Sequence, residues 1–267
     1  MADTWTLKPL CFGEFLAFEK SLFTYGRYAG EKLPAPITGW LLQAGERAIL
    51  VDTGPSAPEL AKRWHYPIHR TAEQVPAALL RAAGVDPERL AQVILTHLHW
   101  DHCYNLESFP AARFVVQAEE LRAAVDPIPT QRLGYEVGLP GVLPPWLAVF
   151  DRLEVVRGDC DIAPGVQVVH LPGHTPGLQG VVVATTAGRH LIASDALPLQ
   201  ENLGPQPASC IPPGIHIDVA ACFRTFERMR TLADVILPSH DAEVLKHPVY
   251  PVPPMKGGSH GRDRSTD

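Results

Sequence analysis

The sequence predicts an α/β fold in which two sheets pack face to face with helices outside them, forming one domain of two halves over residues 1–250. Three observations predict it. Aliphatic and β-branched runs fall in two groups along the chain, each followed by segments of helical periodicity. Histidines and aspartates gather where several of those runs end, the usual place for functional groups in α/β folds. The length of 267 residues, with 46% hydrophobic and 19% charged residues, provides material for a sizeable core.

In order along the chain, residues 1–10 read as an edge strand or a loose start. Residues 11–30 are unusually aromatic (Phe12, Phe15, Phe18, Phe23, Tyr25 and Tyr28). Two readings stand open for them: a strand and loop packed on the core, or an apolar wall beside a site. Residues 39–42 and 48–51 read as strands joined by a tight hairpin at Gly45-Glu46. Asp52 ends the second strand, either as a turn former or as the partner that orients a histidine. Residues 55–70 read as a loop. Thr71-Ala72-Glu73-Gln74 is a capping box for a helix carrying Val75, Leu79, Leu80 and Ala83, which Gly84 ends. Residues 86–90 read as a short turn of helix and 92–95 as a buried strand.

Residues 113–116 read as a strand, 118–124 as a helix, and the Pro- and Gly-rich 125–147 as a long excursion. A second group of strands follows at 153–156, 166–169, 180–184 and 190–193. Asp218 is a natural N-cap for an amphipathic helix over 219–232, and 234–237 is the last strand. Residues 251–267, including His260, read as a flexible C-terminal tail.

Charge and cysteine content exclude some partners. A net charge of −6 offers no general attraction for nucleic acid or anionic membranes. No stretch approaches the roughly 20 apolar residues of a membrane span, and the N-terminus lacks the pattern of a secretory signal. The five cysteines are odd in number and form no C-x-x-C, which fits free thiols in a reducing compartment. The expected location is therefore cytoplasmic. Cys103 reads as a small semi-buried residue rather than a ligand.

The densest chemistry is Thr96-His97-Leu98-His99-Trp100-Asp101-His102, directly after the apolar run 93–95. Imidazole and carboxylate together favour zinc or a similar divalent ion. Three later strand ends bring further candidates: His174 within Pro172-Gly173-His174, Asp195 after Ser194, and His240 after Ser239. A lone histidine at a strand end is usually structural. Five histidines and two aspartates in matching positions point to a metal site.

These residues resemble the motif set of the metallo-β-lactamase superfamily: Thr96-His97-x-His99-x-Asp101-His102, Pro172-Gly173-His174, Ser194-Asp195 and Ser239-His240-Asp241. The resemblance runs from about Gly39-Trp40-Leu41 and Val51-Asp52-Thr53-Gly54 to His240. It implies a four-layer αβ/βα sandwich with two divalent metal ions per chain, zinc first, with manganese, iron or cobalt as alternatives. It puts His97, His99 and His174 on one ion and Asp101, His102 and His240 on the other, with Asp195 bridging. It also implies a hydrolase in which a metal-bridging hydroxide attacks a carbonyl carbon and Asp101 protonates the leaving oxygen.

Within the superfamily the chain is similar to the N-acyl homoserine lactonase-like family. The likeness rests on the compact length, Leu237-Pro238-Ser239-His240-Asp241, the approach through Gly158-Asp159 and Ala163-Pro164-Gly165-Val166 to the Pro-Gly-His turn, and His216-Ile217-Asp218. It implies a quorum-quenching enzyme that opens a small cyclic ester, a lactone of the N-acyl homoserine lactone kind. The alternative is a glyoxalase II-like thioester hydrolase, or another hydrolase of this fold acting on a small carbonyl substrate. Glyoxalase II enzymes tend to carry a basic C-terminal helical domain, for which the residues after His240 are expected to be too few. Partners are expected to be a small-molecule substrate, no nucleic acid and no membrane, with a homodimer as an option. One departure stands out. Lactonases of this type commonly have a Tyr three residues after the bridging Asp, where this chain has Pro198. Either Tyr104, Tyr25 or His216 supplies the missing donor, or the substrate differs. Trp100 stands where smaller or phenyl side chains are common, and is expected to narrow the pocket.

Overall fold

The alternation of side chains along the strands sets the layers of the fold. The computed structural model describes residues 4–251; beyond its first residue the expected tail, with His260, lies outside the described residues. Seven strands form the first sheet: β1 (Thr6–Glu19), β2 (Lys32–Ala44), β3 (Arg47–Val51), β4 (Ile68–His69), β5 (Gln92–Ile94), β6 (Arg113–Gln117) and β7 (Leu153–Val156), in the order β4-β1-β2-β3-β5-β6-β7. Five form the second: β8 (Cys160–Ala163), β9 (Val166–His170), β10 (Gln179–Thr185), β11 (Gly188–Ser194) and β12 (Val235–Pro238), in the order β12-β11-β10-β9-β8. The helices are α1 (Pro58–Trp64), α2 (Pro76–Ala82), α3 (Ala118–Val125) and α4 (Val219–Leu232).

Alternate residues point to opposite faces of a strand. Trp40, Ile49, Val51, Ile94 and Val115 of the first sheet therefore meet Val168, Val181, Val183 and Ile192 of the second in a shared core. Their neighbours Leu41, Leu50, Val93, Phe114 and Val116 face the other way and pack on Leu80 of α2 and Ala124 of α3. On the far side Val169, Val182, Leu191 and Ala193 pack under Cys222, Phe226 and Met229 of α4. The result is the expected four-layer α/β sandwich, each buried aliphatic side chain contributing about 1.5–3 kcal/mol. Among the described residues no helix is long and apolar enough to cross a membrane.

Several expectations are corrected. Thr6–Glu19 is one strand of 14 residues, second from the edge of its sheet and bent where its pairing with β2 shifts register around Gly13. The span 55–70 holds α1 and β4; α1 is seven residues long and buries only Ala61, too little for a readable period. Residues 86–90 form turns rather than a helix. Residues 153–156 belong to the first sheet, since β7 pairs in parallel with β6. Four alternating residues do not reveal which sheet they join. β8 was missed because Cys-Asp-Ile-Ala carries little strand signal. The hairpin between β2 and β3 and the Asp218 cap, which accepts a hydrogen bond from the Ala221 N–H, are present. The Thr71 capping box is present too, but it closes a separate 3-10 turn (Ala72–Gln74), and α2 starts after it at Pro76 with Val75 as its cap.

Candidate metal centre

All the candidate ligands sit at one end of the sandwich, on loops that follow strands. The loop after β5 carries His97, His99, Asp101 and His102; the turns after β9, β11 and β12 carry His174, Asp195 and His240. Three sets of ligand atoms converge, each within 4.8 Å: His97, His99 and His174; His97, His102 and Asp195; Asp101, His102 and His240. Asp195 lies between them. Its Oδ1 is 3.3 Å from His102 Nε2 and 3.2 Å from His240 Nε2, while its Oδ2 is 3.5 Å from His174 Nε2. Asp101 Oδ2 lies 3.6 Å from His102 Nε2 and 3.8 Å from His240 Nε2.

The imidazoles are held from behind. The Nδ1–H of His102 donates to Asp52 Oδ2 (2.9 Å), that of His174 to the Ile215 carbonyl (2.7 Å), and that of His240 to the Pro36 carbonyl (2.9 Å). Such bonds fix the tautomer and leave Nε2 bare for a metal. Asp52, whose role was open in the sequence, is thus the orienting partner. It also accepts the Thr96 N–H and hydroxyl, both at 2.8 Å. The Thr96 hydroxyl proton is therefore committed, and its oxygen accepts from the Ser194 hydroxyl (2.7 Å) and from His97 Nδ1 (3.2 Å).

The donor set fits divalent metal. The Nε2 atoms of His97 and His102 are buried without a hydrogen-bond partner, and His99 Nδ1 faces His174 Nε2 at 3.0 Å. Orphaned buried nitrogens aimed at a common point are costly unless an ion meets them. Burial holds His97, His99 and His174 below the usual imidazole range, toward the neutral form that binds metal. Burial is the largest influence on His102 and His240 too and opposes their charge, but Asp195 and Asp101 together, joined by Asp52 at His102, raise both. Burial likewise opposes the Asp195 charge, yet His102 and His240 hold its carboxyl well below the ordinary range.

Glu120 is a residue that sequence reasoning missed. Its buried carboxylate accepts the Leu98 N–H (3.0 Å) and the Tyr135 hydroxyl (2.8 Å) on Oε1, and the Thr175 hydroxyl (2.6 Å) and the Gly177 N–H (3.1 Å) on Oε2. It ties the loop of His97 to the turn of His174 and to the excursion. The signal was a carboxylate four residues before Ala124 on the buried face of α3. Gly134, also in the excursion, is constrained by contact, since a Cβ there would stand 2.8 Å from the His99 ring.

Above the ligands lies a cavity of about 240 Å³. Phe15, Phe18, Phe23, Tyr66 and Trp100 supply its aromatic wall, and Asp101, Asp195, His99, His174 and His240 its floor. Of the aromatic segment 11–30, Phe12 packs in the core and the other three phenylalanines form wall, so both open readings hold in part. Trp100 lines the cavity as expected. Tyr25, Tyr104 and His216 do not: Tyr25 is 53% exposed and meets His216 edge-on, and the Tyr104 side chain lies toward Glu136. Pro198 lines the cavity and offers no donor; Tyr66 and Gln131, which the sequence reading passed over, also line it.

Residues 34–240 match the sequence model of the metallo-β-lactamase superfamily. Among similar proteins is an N-acyl homoserine lactonase from a Bacillus species, 32% identical over 185 residues, with 65% of this chain and 68% of that protein covered. The N-acyl homoserine lactonase AiiB of Agrobacterium fabrum is 27% identical over 225 residues, covering 78% of this chain and 80% of that one. Among solved structures, a mutant of Bacillus thuringiensis AiiA with N-decanoyl-L-homoserine bound at its active site aligns with a TM-score of 0.73 and 25% identity, covering 92% of this chain and 96% of that one.

Proposed function

The chain belongs to the metallo-β-lactamase superfamily and, within it, to the N-acyl homoserine lactonase-like family, and from this premise we propose that it is a metal-dependent hydrolase that opens a small, neutral cyclic ester of the N-acyl homoserine lactone kind. The observation that carries the reading is the pairing of the two ligand sets across Asp195 with an aromatic cavity that, among the described residues, no lysine or arginine lines. An uncharged apolar wall suits a neutral acyl lactone. It offers nothing to the carboxylates of a glutathione thioester, which ranks the thioester reading second.

In this proposal His97, His99 and His174 would hold one divalent ion and Asp101, His102 and His240 a second, with Asp195 lying between the two sets. Zinc is the first choice for a histidine-rich set, with manganese, iron or cobalt as alternatives. When bound, such ions supply a water ionised near neutral pH and a Lewis acid for the carbonyl oxygen. The protein's own groups do the rest. The backing bonds to Asp52, Ile215 and Pro36 keep the imidazoles oriented. Asp101 lines the cavity, where its carboxylate can take the proton given up by the attacking water and pass it to the departing ring oxygen. Phe15, Phe18 and Phe23 exclude bulk water from the acyl side. The five cysteines are free thiols, which supports a reducing, cytoplasmic setting. A homodimer stays an option, tested by the molar mass in solution.

The test is a panel of lactones, thioesters, β-lactams and phosphodiesters against metal-loaded protein. Lactone opening ahead of every other class is expected. Rapid thioester release with no lactone opened would promote the second reading.

A further inference from the structure

One buried pair, whose His65 itself lines the cavity next to Trp100, takes no part in the chemistry above. His65 follows α1, and its Nε2–H donates to Glu136 Oε1 at 2.9 Å, with side-chain exposures of 1% and 0%. The imidazole lies flat against the indole of Trp100, with ring centroids 4.2 Å apart and planes within 1° of parallel. The Trp100 N–H donates to the Gly134 carbonyl at 2.9 Å, two residues before Glu136. Phe15 meets the indole edge-on at 6.0 Å. The indole is thus fixed by its backbone, by one ring face and by a neighbouring ring edge, and it stands in the wall between His99 and Asp101.

A pair kept for stability alone would look different. An apolar pair of similar volume fills buried space at no lower stability than a buried ionisable one. Glu136 is moreover in the left-handed region at φ 57°, which a non-glycine residue seldom occupies. Such strain persists where surrounding structure holds a group in place for a functional geometry. The same excursion also supplies Gln131, Leu133 and Gly134 to the cavity.

We propose that His65 and Glu136 are positioning residues that hold the Trp100 indole as a fixed wall, and that this wall limits the length of the acyl group the cavity accepts. The inference rests on the lactonase reading and deepens it toward short-chain, neutral acyl lactones. The device acts on the wall and leaves the metal ligands in place.

The experiment compares N-butanoyl- and N-decanoyl-homoserine lactone with the metal-loaded full chain. The variants are His65→Ala/Glu136→Ala, Trp100→Ala, and all three substitutions together. The paired variant avoids an unpartnered buried carboxylate. The decanoyl-to-butanoyl ratio of kcat/KM is expected to rise about tenfold in the paired variant, the scale on which a pocket discriminates small changes of apolar length. Metal content stays at the wild-type level. Adding the pair to Trp100→Ala changes the ratio no further, because residues that act through one group are non-additive. An unchanged ratio, or a pair effect that persists without the indole, overturns the inference. Glu136→Gln, which keeps an acceptor for His65, guards against failure to fold and is expected to shift the ratio in the same direction by less; no shift in this variant, when the paired one does not fold, counts against the inference. Calorimetry with the two ring-opened products reads the same ratio as affinities without turnover. Wild-type protein that opens neither lactone yet binds the butanoyl product more tightly defeats the proposed function and leaves the wall intact. Product affinities with no length preference in any variant defeat the wall.

Discussion

The floor and the wall of the cavity are built on opposite principles. On the floor the imidazoles of His102, His174 and His240 are each held from behind by a bond from Nδ1, and Asp195 and Asp101 face them at 3.2–3.8 Å. On the wall Phe15, Phe18 and Phe23 have no polar handle and hold their places by ring contacts with one another and with Tyr66 and His240. Hydrogen bonds are directional, so the floor tolerates little displacement. Ring packing is not, so this phenylalanine part of the wall, unlike Trp100, can be rebuilt. Under the proposed function, the comparison assigns reaction class to the floor and selectivity to the wall.

The largest effect that can break this division is on the floor. Asp195→Ala removes the group between the two ligand sets. It is expected to lower turnover by about 10³-fold or more, since metal chemistry is worth several kcal/mol and each 1.36 kcal/mol is tenfold. Elemental analysis should show metal lost in parallel; full occupancy with unaltered turnover would contradict the ligand assignment. Asp101→Asn is expected to keep most of the metal while kcat falls about 10²-fold, the scale of a positioned proton donor. Undiminished turnover would remove it from proton transfer.

Glu120→Gln tests the joint beneath the floor. Gln keeps one acceptor oxygen where Glu120 uses two, and a buried hydrogen bond left unmade costs about 1–3 kcal/mol. A fall in Tm of several degrees is expected, at about 2–4 °C per kcal/mol for a chain of this size. An unchanged Tm would mean that the joint is not structural. The smallest effect is on the wall. Phe18→Ala should raise KM about tenfold with kcat nearly constant, the signature of uniform binding lost. An equal fall in kcat would place Phe18 in the chemistry and blur the division.

Much of the floor was legible because it is local. His97, His99, Asp101 and His102 follow one strand within six residues, and His174, Asp195 and His240 each end a strand whose apolar run is plain. The wall was legible only as composition. Aromatic residues crowd 11–30, but Phe12 turns into the core while Phe15 and Phe18 turn to the cavity. Bends in β1, where its pairing shifts between Cys11 and Gly13 and between Phe15 and Phe18, decide which ring goes where. Tyr25, Tyr104 and His216, the candidate replacements for the donor that Pro198 lacks, lie off the cavity in space.

By itself the sequence determined the reaction class, because metal chemistry depends on residue types at strand ends and those are written in order. It also determined the layered sandwich, because a period of two in the strands and of nearly four in the helices records which faces are buried. Only the tertiary structure decided that Asp52 backs His102, that Glu120 joins three loops, that β7 closes the first sheet, and that His65 and Glu136 meet on Trp100. The physical reason is shared. Each is a contact between segments from 15 to more than 70 residues apart, except for β7, whose partner β6 is likewise remote in sequence. A chain records the character of its residues locally, and their partners are settled only when packing brings them together.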